Sequence, residues 1–154
     1  MIPNACWLSN LWLGQGIDFD YAKRPIKQKI SVEQVIVKLQ CVASDSAILS
    51  ADGKITVWKH SRNSGNSCRV ISLQQKVVVS MGLEFMLILT VDNRLYAFGE
   101  NHQGQCGQGS ISWPIEQPVE VKNLHNLRIK QISAGYHHCL IKCTKVRSDT
   151  PESL

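Results

Sequence analysis

An all-β repeat protein is the fold this sequence predicts, and three observations predict it. Apolar and β-branched residues come in runs of strand length, among them 77–79 and 86–89, and helical spacing is not sustained anywhere. Two matching turn signals, Ala51-Asp52-Gly53-Lys54 and Val91-Asp92-Asn93-Arg94, each stand between apolar runs. The chain also matches itself at fixed offsets.

Each copy reads in the same order. A first strand is expected at 35–39, 76–79 and 127–132, where β-formers partly alternate with polar residues. A second, apolar strand follows at 47–49, 86–89 and 140–141. Asp52-Gly53 and Asp92-Asn93 then supply the positive φ of a two-residue hairpin, because Gly has no Cβ and Asn tolerates the left-handed region. A third strand carries Trp58 or Phe98.

The offsets are mutually consistent. Gly14-Gln15-Gly16 falls on Gly107-Gln108-Gly109 at an offset of 93, with Pro25 on Pro118, Ile36 on Ile129 and Ile48 on Ile141 in phase. Residues 49–58 match 89–98 at an offset of 40, and 79–82 match 132–135 at 53. Since 40 and 53 make 93, one repeat with a shortened middle copy explains all three. Repeats of roughly 40 to 50 residues made of short strands point to propeller blades or a related β array. The boundaries read as a partial copy over 1–34, a degenerate copy over 35–75, a complete copy over 76–127, a partial copy over 128–143 and a polar tail over 144–154.

Composition sets outer limits. With 154 residues, 44% hydrophobic and 19% charged, the chain has the make-up of a folded domain. No stretch nears the roughly 20 apolar residues of a membrane helix, and the start lacks a basic segment followed by an apolar one. A cytoplasmic or nuclear location without membrane insertion is therefore expected. Lys and Arg exceed Asp and Glu by 17 to 12, a surplus read as a solvated surface.

Six cysteines without a CxxC pair are expected as free, buried thiols. The cluster His137-His138-Cys139 with Cys143 invites a zinc reading. No second ligand pair stands at finger spacing, so core packing is preferred and neither metal nor cofactor is expected. A Cys-His enzyme using His60, His102, His125, His137 or His138 lacks any nucleophile motif, so no catalytic residue is assigned.

The third copy carries a specific signature. It runs Ser80-Met81-Gly82, then 91–109 with Asp92, Phe98, Gly99, Asn101, Gly104, Gly107 and Gly109, then Pro118-Val119. This resembles the repeat of the regulator-of-chromosome-condensation family, with Cys106 where that family usually has Leu. The fourth copy opens at Gly135 and sets His138 on the family's His. In the second copy Val42 replaces the first Gly and Asp45 stands at the His position. The glycines and Asn101 read as backbone devices of a tight crossing, since a phosphate loop would need a Lys-Ser/Thr ending and a following helix.

The resemblance implies a partial β-propeller of four-stranded blades, about three in number, open or completed by self-association. It implies a protein-interaction platform within a longer chain. The alternatives it offers are an exchange factor for a Ran-type small GTPase with chromatin association, or substrate-recognition repeats of a ubiquitin ligase. For partner contact the candidates are His102 and Trp113, both on loops; Trp113 equally suits packing beneath its own loop. The structural set is Gly82, Asp92, Gly99, Asn101, Gly104, Gly107, Gly109, Pro118, Gly135 and His138.

Overall fold

The structure, a computed structural model, describes residues 11–13, 26–28, 35–43, 45–61, 65–124 and 126–146. The first-copy signals Cys6, Trp7, Gly14, Gln15, Gly16 and Pro25, His125, and the tail from 147 onward lie outside them. Among the described residues there are strands and no helix. The chain forms two compact units, 1–76 and 77–154.

In the first unit β1 (Leu11–Leu13) pairs with β2 (Ile26–Gln28). The strands β3 (Ile36–Val42), β4 (Asp45–Ser50), β5 (Lys54–Ser61) and β6 (Gly65–Ser72) form a four-stranded antiparallel sheet in chain order. One face is built from cross-strand pairs, Ala47 opposite Val57 and Leu49 opposite Ile55, with Ile71 beyond, and all five are buried.

In the second unit β7 (Val77–Met81), β8 (Phe85–Thr90), β9 (Leu95–Gly99) and β10 (Ile115–Glu120) form a second such sheet. A final pair, β11 (Leu127–Ala134) and β12 (Cys139–Lys145), follows. Phe85, Leu87, Leu95, Ala97, Cys106, Ile129 and Ile132 make one buried cluster that binds β8 and β9 to β11. Pro118 sits on β10, an edge strand, where its missing N–H leaves no ladder bond unmade.

The internal repeat is written into the strand register. On the β3–β4 ladder Ile36, Lys38, Leu39, Gln40 and Cys41 face Ser50, Leu49, Ile48, Ala47 and Ser46. Adding 93 to every number gives the β11–β12 ladder pair for pair. Both ladders even bulge at the same place, between Ile36 and Lys38 and between Ile129 and Gln131. The β4–β5 pairs likewise become the β8–β9 pairs on adding 40. The middle copy, β7–β8, pairs without that bulge.

Two expectations are corrected. The hairpin loops contain three residues rather than two: 51–53 between Ser50 and Lys54, and 91–93 between Thr90 and Arg94, where Thr90 N–H donates to Arg94 C=O at 2.9 Å. Gly53 N–H donates to Ser50 C=O at 3.0 Å and Asn93 N–H to Thr90 C=O at 3.1 Å, and only Gly53 (φ 84°) and Asn93 (φ 66°) are left-handed. A turn closed by one left-handed residue suits the strand twist as a two-residue turn does, so the Asp-Gly signal fits both. A hydroxyl fixes each loop: Ser50 Oγ donates to Lys54 C=O and Thr90 Oγ1 to Arg94 C=O, both at 2.9 Å.

The thiols also divide. Cys106 is buried and Cys139 half-buried, but Cys41, Cys68 and Cys143 are exposed. All five are free. Cys139 and Ile141 point into the core cluster, whereas Cys143, near the end of β12, lies beyond its reach.

Candidate functional site

The end of the second unit is organised by its loops. After β9 the chain must turn sharply, and Gly99 (φ 107°) allows it: a Cβ there would overlap the Glu84 carbonyl and lie 2.6 Å from Phe85 Cα. Glu100 N–H then donates to the Glu84 carbonyl at 2.9 Å. From this anchor the loop 100–114 crosses to the edge strand β10.

Asn101, fully buried, is the hub of that loop. Its Nδ2 donates to Ser110 C=O at 3.0 Å and Ser112 Oγ at 2.9 Å, and its Oδ1 accepts from Cys106 N–H at 3.1 Å. Its own carbonyl accepts from Gly104 and Ser112 N–H. Gly107 N–H donates to Gly104 C=O at 3.0 Å. The amides of Gly104 and Gly107 are thus turned onto backbone carbonyls, not outward as a phosphate cradle requires. Gly104, Gly107 and Gly109 all have positive φ.

Cys106 fills the centre. Its Sγ donates to Glu100 C=O at 3.3 Å, and burial, with the Cys139 thiol and Glu100 nearby, pushes its pKa up to about 11. It is a packed thiol and not an activated one.

Two candidate partner residues and the second unit's other loops meet the solvent here. Trp113 is 87% exposed, and Ile111, two residues earlier in the same loop, 72%. The exposure removes the alternative in which Trp113 packs beneath its own loop. His102 is exposed, its Nδ1 3.1 Å from Glu100 Oε2. Its ring meets the edge of His137 at 5.6 Å between centroids, and His137 in turn meets Tyr136 at 4.4 Å. His137 and Tyr136 belong to the β11–β12 loop, and Leu83 N–H, from the β7–β8 loop, bonds Gly135 and Tyr136 C=O at 3.3 Å. Three loops of one unit therefore share this end. Sequence reading missed Tyr136, His137 and Ile111; adjacency across loops leaves no local signal.

At Gly135 the close approach is by a ring, and at Gly82 by a ring and by the Gly135 carbonyl oxygen, 2.5 Å from where a Cβ would stand. A Cβ on Gly82 would overlap the Phe85 ring, and one on Gly135 would lie 2.6 Å from His138 Cε1 and Nε2. The pairs are 53 apart, so Phe85 takes in the third copy the position of His138 in the fourth. His138 itself is exposed, which corrects its reading as a core histidine. Asp92, on the opposite hairpin, lines a shallow cleft with Arg94, Glu120 and Leu124, and Arg94 Nε approaches its carboxylate at 3.3 Å. No group of three or more His, Cys, Asp or Glu side chains converges among the described residues.

Four-stranded antiparallel sheets, the second with a glycine-rich crossing between its third and fourth strands in chain order, define a propeller-type repeat module. Residues 92–141 and 77–105 each match the Regulator of chromosome condensation (RCC1) repeat, so this part of the chain consists of repeats of that family. The E3 ubiquitin-protein ligase HERC2 of Homo sapiens is 27% identical over 140 residues, which is 83% of this chain and 3% of that protein. The X-linked retinitis pigmentosa GTPase regulator of Homo sapiens is 40% identical over 65 residues, 42% of this chain and 6% of the relative. The chain thus spans only a small part of these relatives. Among solved structures, Prp20p from Saccharomyces cerevisiae, described for its binding to Gsp1p and histones, superposes with a TM-score of 0.69 at 15% identity over 82% of this chain and 35% of its own. Yeast RCC1 (Prp20) bound to Kap60 gives 0.63 at 24% identity over 79% and 30%. These likenesses establish the fold: all-β, with open sheets that match propeller blades. No helix of the described residues is long and apolar enough to cross a membrane.

Proposed function

We propose that the chain is a non-catalytic protein-interaction module whose contact surface is the loop end of its second unit, centred on Trp113 and His102. The observation that carries this reading is Trp113 with Ile111, two large apolar side chains held out by a loop that Asn101 makes rigid. An exposed aromatic on a pre-ordered loop loses little entropy on binding and is the commonest kind of interface anchor. In this reading the repeat copies run 35–75, 76–127 and 128–143, with a partial copy over 1–34 and a tail over 144–154. Gly82, Asp92, Gly99, Asn101, Gly104, Gly107, Gly109, Pro118, Gly135 and His138 act as scaffold. The protein works in the cytoplasm or nucleus, and association of copies is one way to complete the open sheets.

The partner class has two further readings. The solved relative described for binding Gsp1p and histones favours exchange-factor activity on a Ran-type GTPase, with chromatin association. The ligase relative, matched over 83% of this chain, favours substrate recognition for ubiquitin transfer. A photo-crosslinker at Ile111 tests the module: a defined protein adduct that disappears in Trp113→Ala is expected. Adducts identical to those formed from Lys76 would refute it. Nucleotide release from a Ran-type GTPase at substoichiometric chain separates exchange activity from stoichiometric binding.

A further inference from the structure

Charge is unevenly shared along this chain. The whole carries 17 Lys and Arg against 12 Asp and Glu, yet the complete copy inverts the balance. Residues 77–121 contain Glu84, Asp92, Glu100, Glu116 and Glu120 and a single strong base, Arg94. Arg94 stands at the far hairpin, where Asp92 at 3.3 Å and Glu120 at 3.8 Å hold it. That leaves the loop end with Glu84, Glu100 and Glu116 and no Lys or Arg. The β11–β12 loop that joins it, 135–138, adds none.

The acidic residues belong to the same piece of structure as the exposed indole. Ile115 faces Gly99 in the β10–β9 ladder, so Glu100 and Trp113 both lie just past that pair, in the two ends of one loop. Ser112 N–H donates to Asn101 C=O at 3.3 Å, which ties the residue before Trp113 to the residue after Glu100. Glu100 N–H in turn donates to Glu84 C=O at 2.9 Å. Glu84 and Glu116 are exposed, and Glu100 keeps 27% of its side chain in solvent. An indole face carries negative charge density, so a cation within about 6 Å of it is drawn to the ring and to neighbouring carboxylates together.

We propose that the Trp113 loop takes a basic, arginine-bearing segment of its protein partner, with the guanidinium stacked on the indole and Glu100 and Glu84 as its counter-charges. This rests on the loop end being the interaction surface, and it adds the sign and the side chain of the partner. A polyanion is repelled by the same carboxylates, and a purely apolar segment would bury them at a cost. Outside 77–121 the chain holds 16 Lys and Arg and seven Asp and Glu. Diffuse attraction therefore works against a cationic ligand, and one that binds does so through this local field.

The test titrates the full chain with a nine-residue peptide alternating Arg and Gly, read by calorimetry and by the indole N–H resonance of Trp113. Binding that moves this resonance is expected. Affinity should fall about three- to tenfold in Glu84→Gln, in Glu100→Gln and in Trp113→Leu, which keeps apolar bulk and removes the ring face. Glu120→Gln, at the far hairpin, should bind as the parent does. Equal affinity for a Glu/Gly or a Leu/Ser peptide, parent-like binding by Glu100→Gln and Trp113→Leu, or an unmoved Trp113 resonance would each overturn the proposal. A resonance that shifts with chain concentration in the absence of peptide would assign the site to a second copy and overturn it too. In any of these cases a Trp113-dependent adduct at Ile111 would leave the interaction module standing, so the two readings fail separately.

Discussion

Asn93 Oδ1 accepts a hydrogen bond from Ile129 N–H at 2.8 Å, while its Nδ2 donates to Leu127 C=O at 2.8 Å. One side chain in the β8–β9 turn thus fastens the first strand of the next copy. The left-handed φ that the turn demands directs the same residue that carries the amide. Ser80 Oγ adds a second tie, accepting from Ala134 N–H at 2.9 Å.

Replacing Asn93 by Gly keeps the turn and removes both bonds, leaving the buried Ile129 amide unpaired. A loss of about 1–3 kcal/mol is expected in urea unfolding. Asn93→Ala adds left-handed strain and should cost about 1 kcal/mol more. Equal stability of the Gly variant and the parent would contradict the tie.

Gly82→Ala forces a methyl into the buried Phe85 ring and to 2.5 Å from the Gly135 carbonyl oxygen, and only the first of these clashes is relieved by shortening Phe85. A cost of about 1–3 kcal/mol is expected, and less for Gly135→Ala, where the atoms in the way belong to the exposed His138 side chain and none to the backbone. Combining Gly82→Ala with Phe85→Ala should cost less than the sum of the single changes, as a thermal-melt double-mutant cycle would read.

Asn101→Ala removes three side-chain bonds at a fully buried site. A destabilisation of about 2–4 kcal/mol is expected, with Cys106 N–H losing its exchange protection. Asn101→Asp, which keeps the acceptor and loses both donor bonds, should retain that protection in part.

Cys106 should alkylate slowly in the folded chain near neutral pH, well behind Cys41, Cys68 and Cys143. Its pKa is raised by burial, so the unfolded chain releases this proton first. The contribution to stability is whole below pH 9, the ordinary value, and is lost as pH rises through about 11. Cys106→Ser should remove that alkaline component from a stability-pH curve.

Much of the fold was legible because repetition doubles every signal. The phase of Ile36 with Ile129 and of Leu49 with Leu89 already implies the ladders, since a slip of one residue would turn each apolar set outward. The loop length was not legible, because Asp52-Gly53 satisfies both turn geometries and the choice lies in which carbonyl Gly53 reaches. Exposure of Cys41 and Cys143 depends on what covers a strand face, which local spacing does not encode. The site was half visible: Trp113 and His102 stand out as loop aromatics, but His137, and through it Tyr136, joins His102 only once β11 docks. Val42 and Asp45 in the second copy, by contrast, explain each other, since a residue with a Cβ at 42 leaves no room for a ring at 45.

The most direct measurement is calorimetric titration of the chain with the protein recovered by crosslinking at Ile111, beside Trp113→Ala. Stoichiometric binding that weakens at least about tenfold in the variant, with an unchanged melt, is the expected outcome. Equal affinity in the two would contradict a Trp113-centred interaction module.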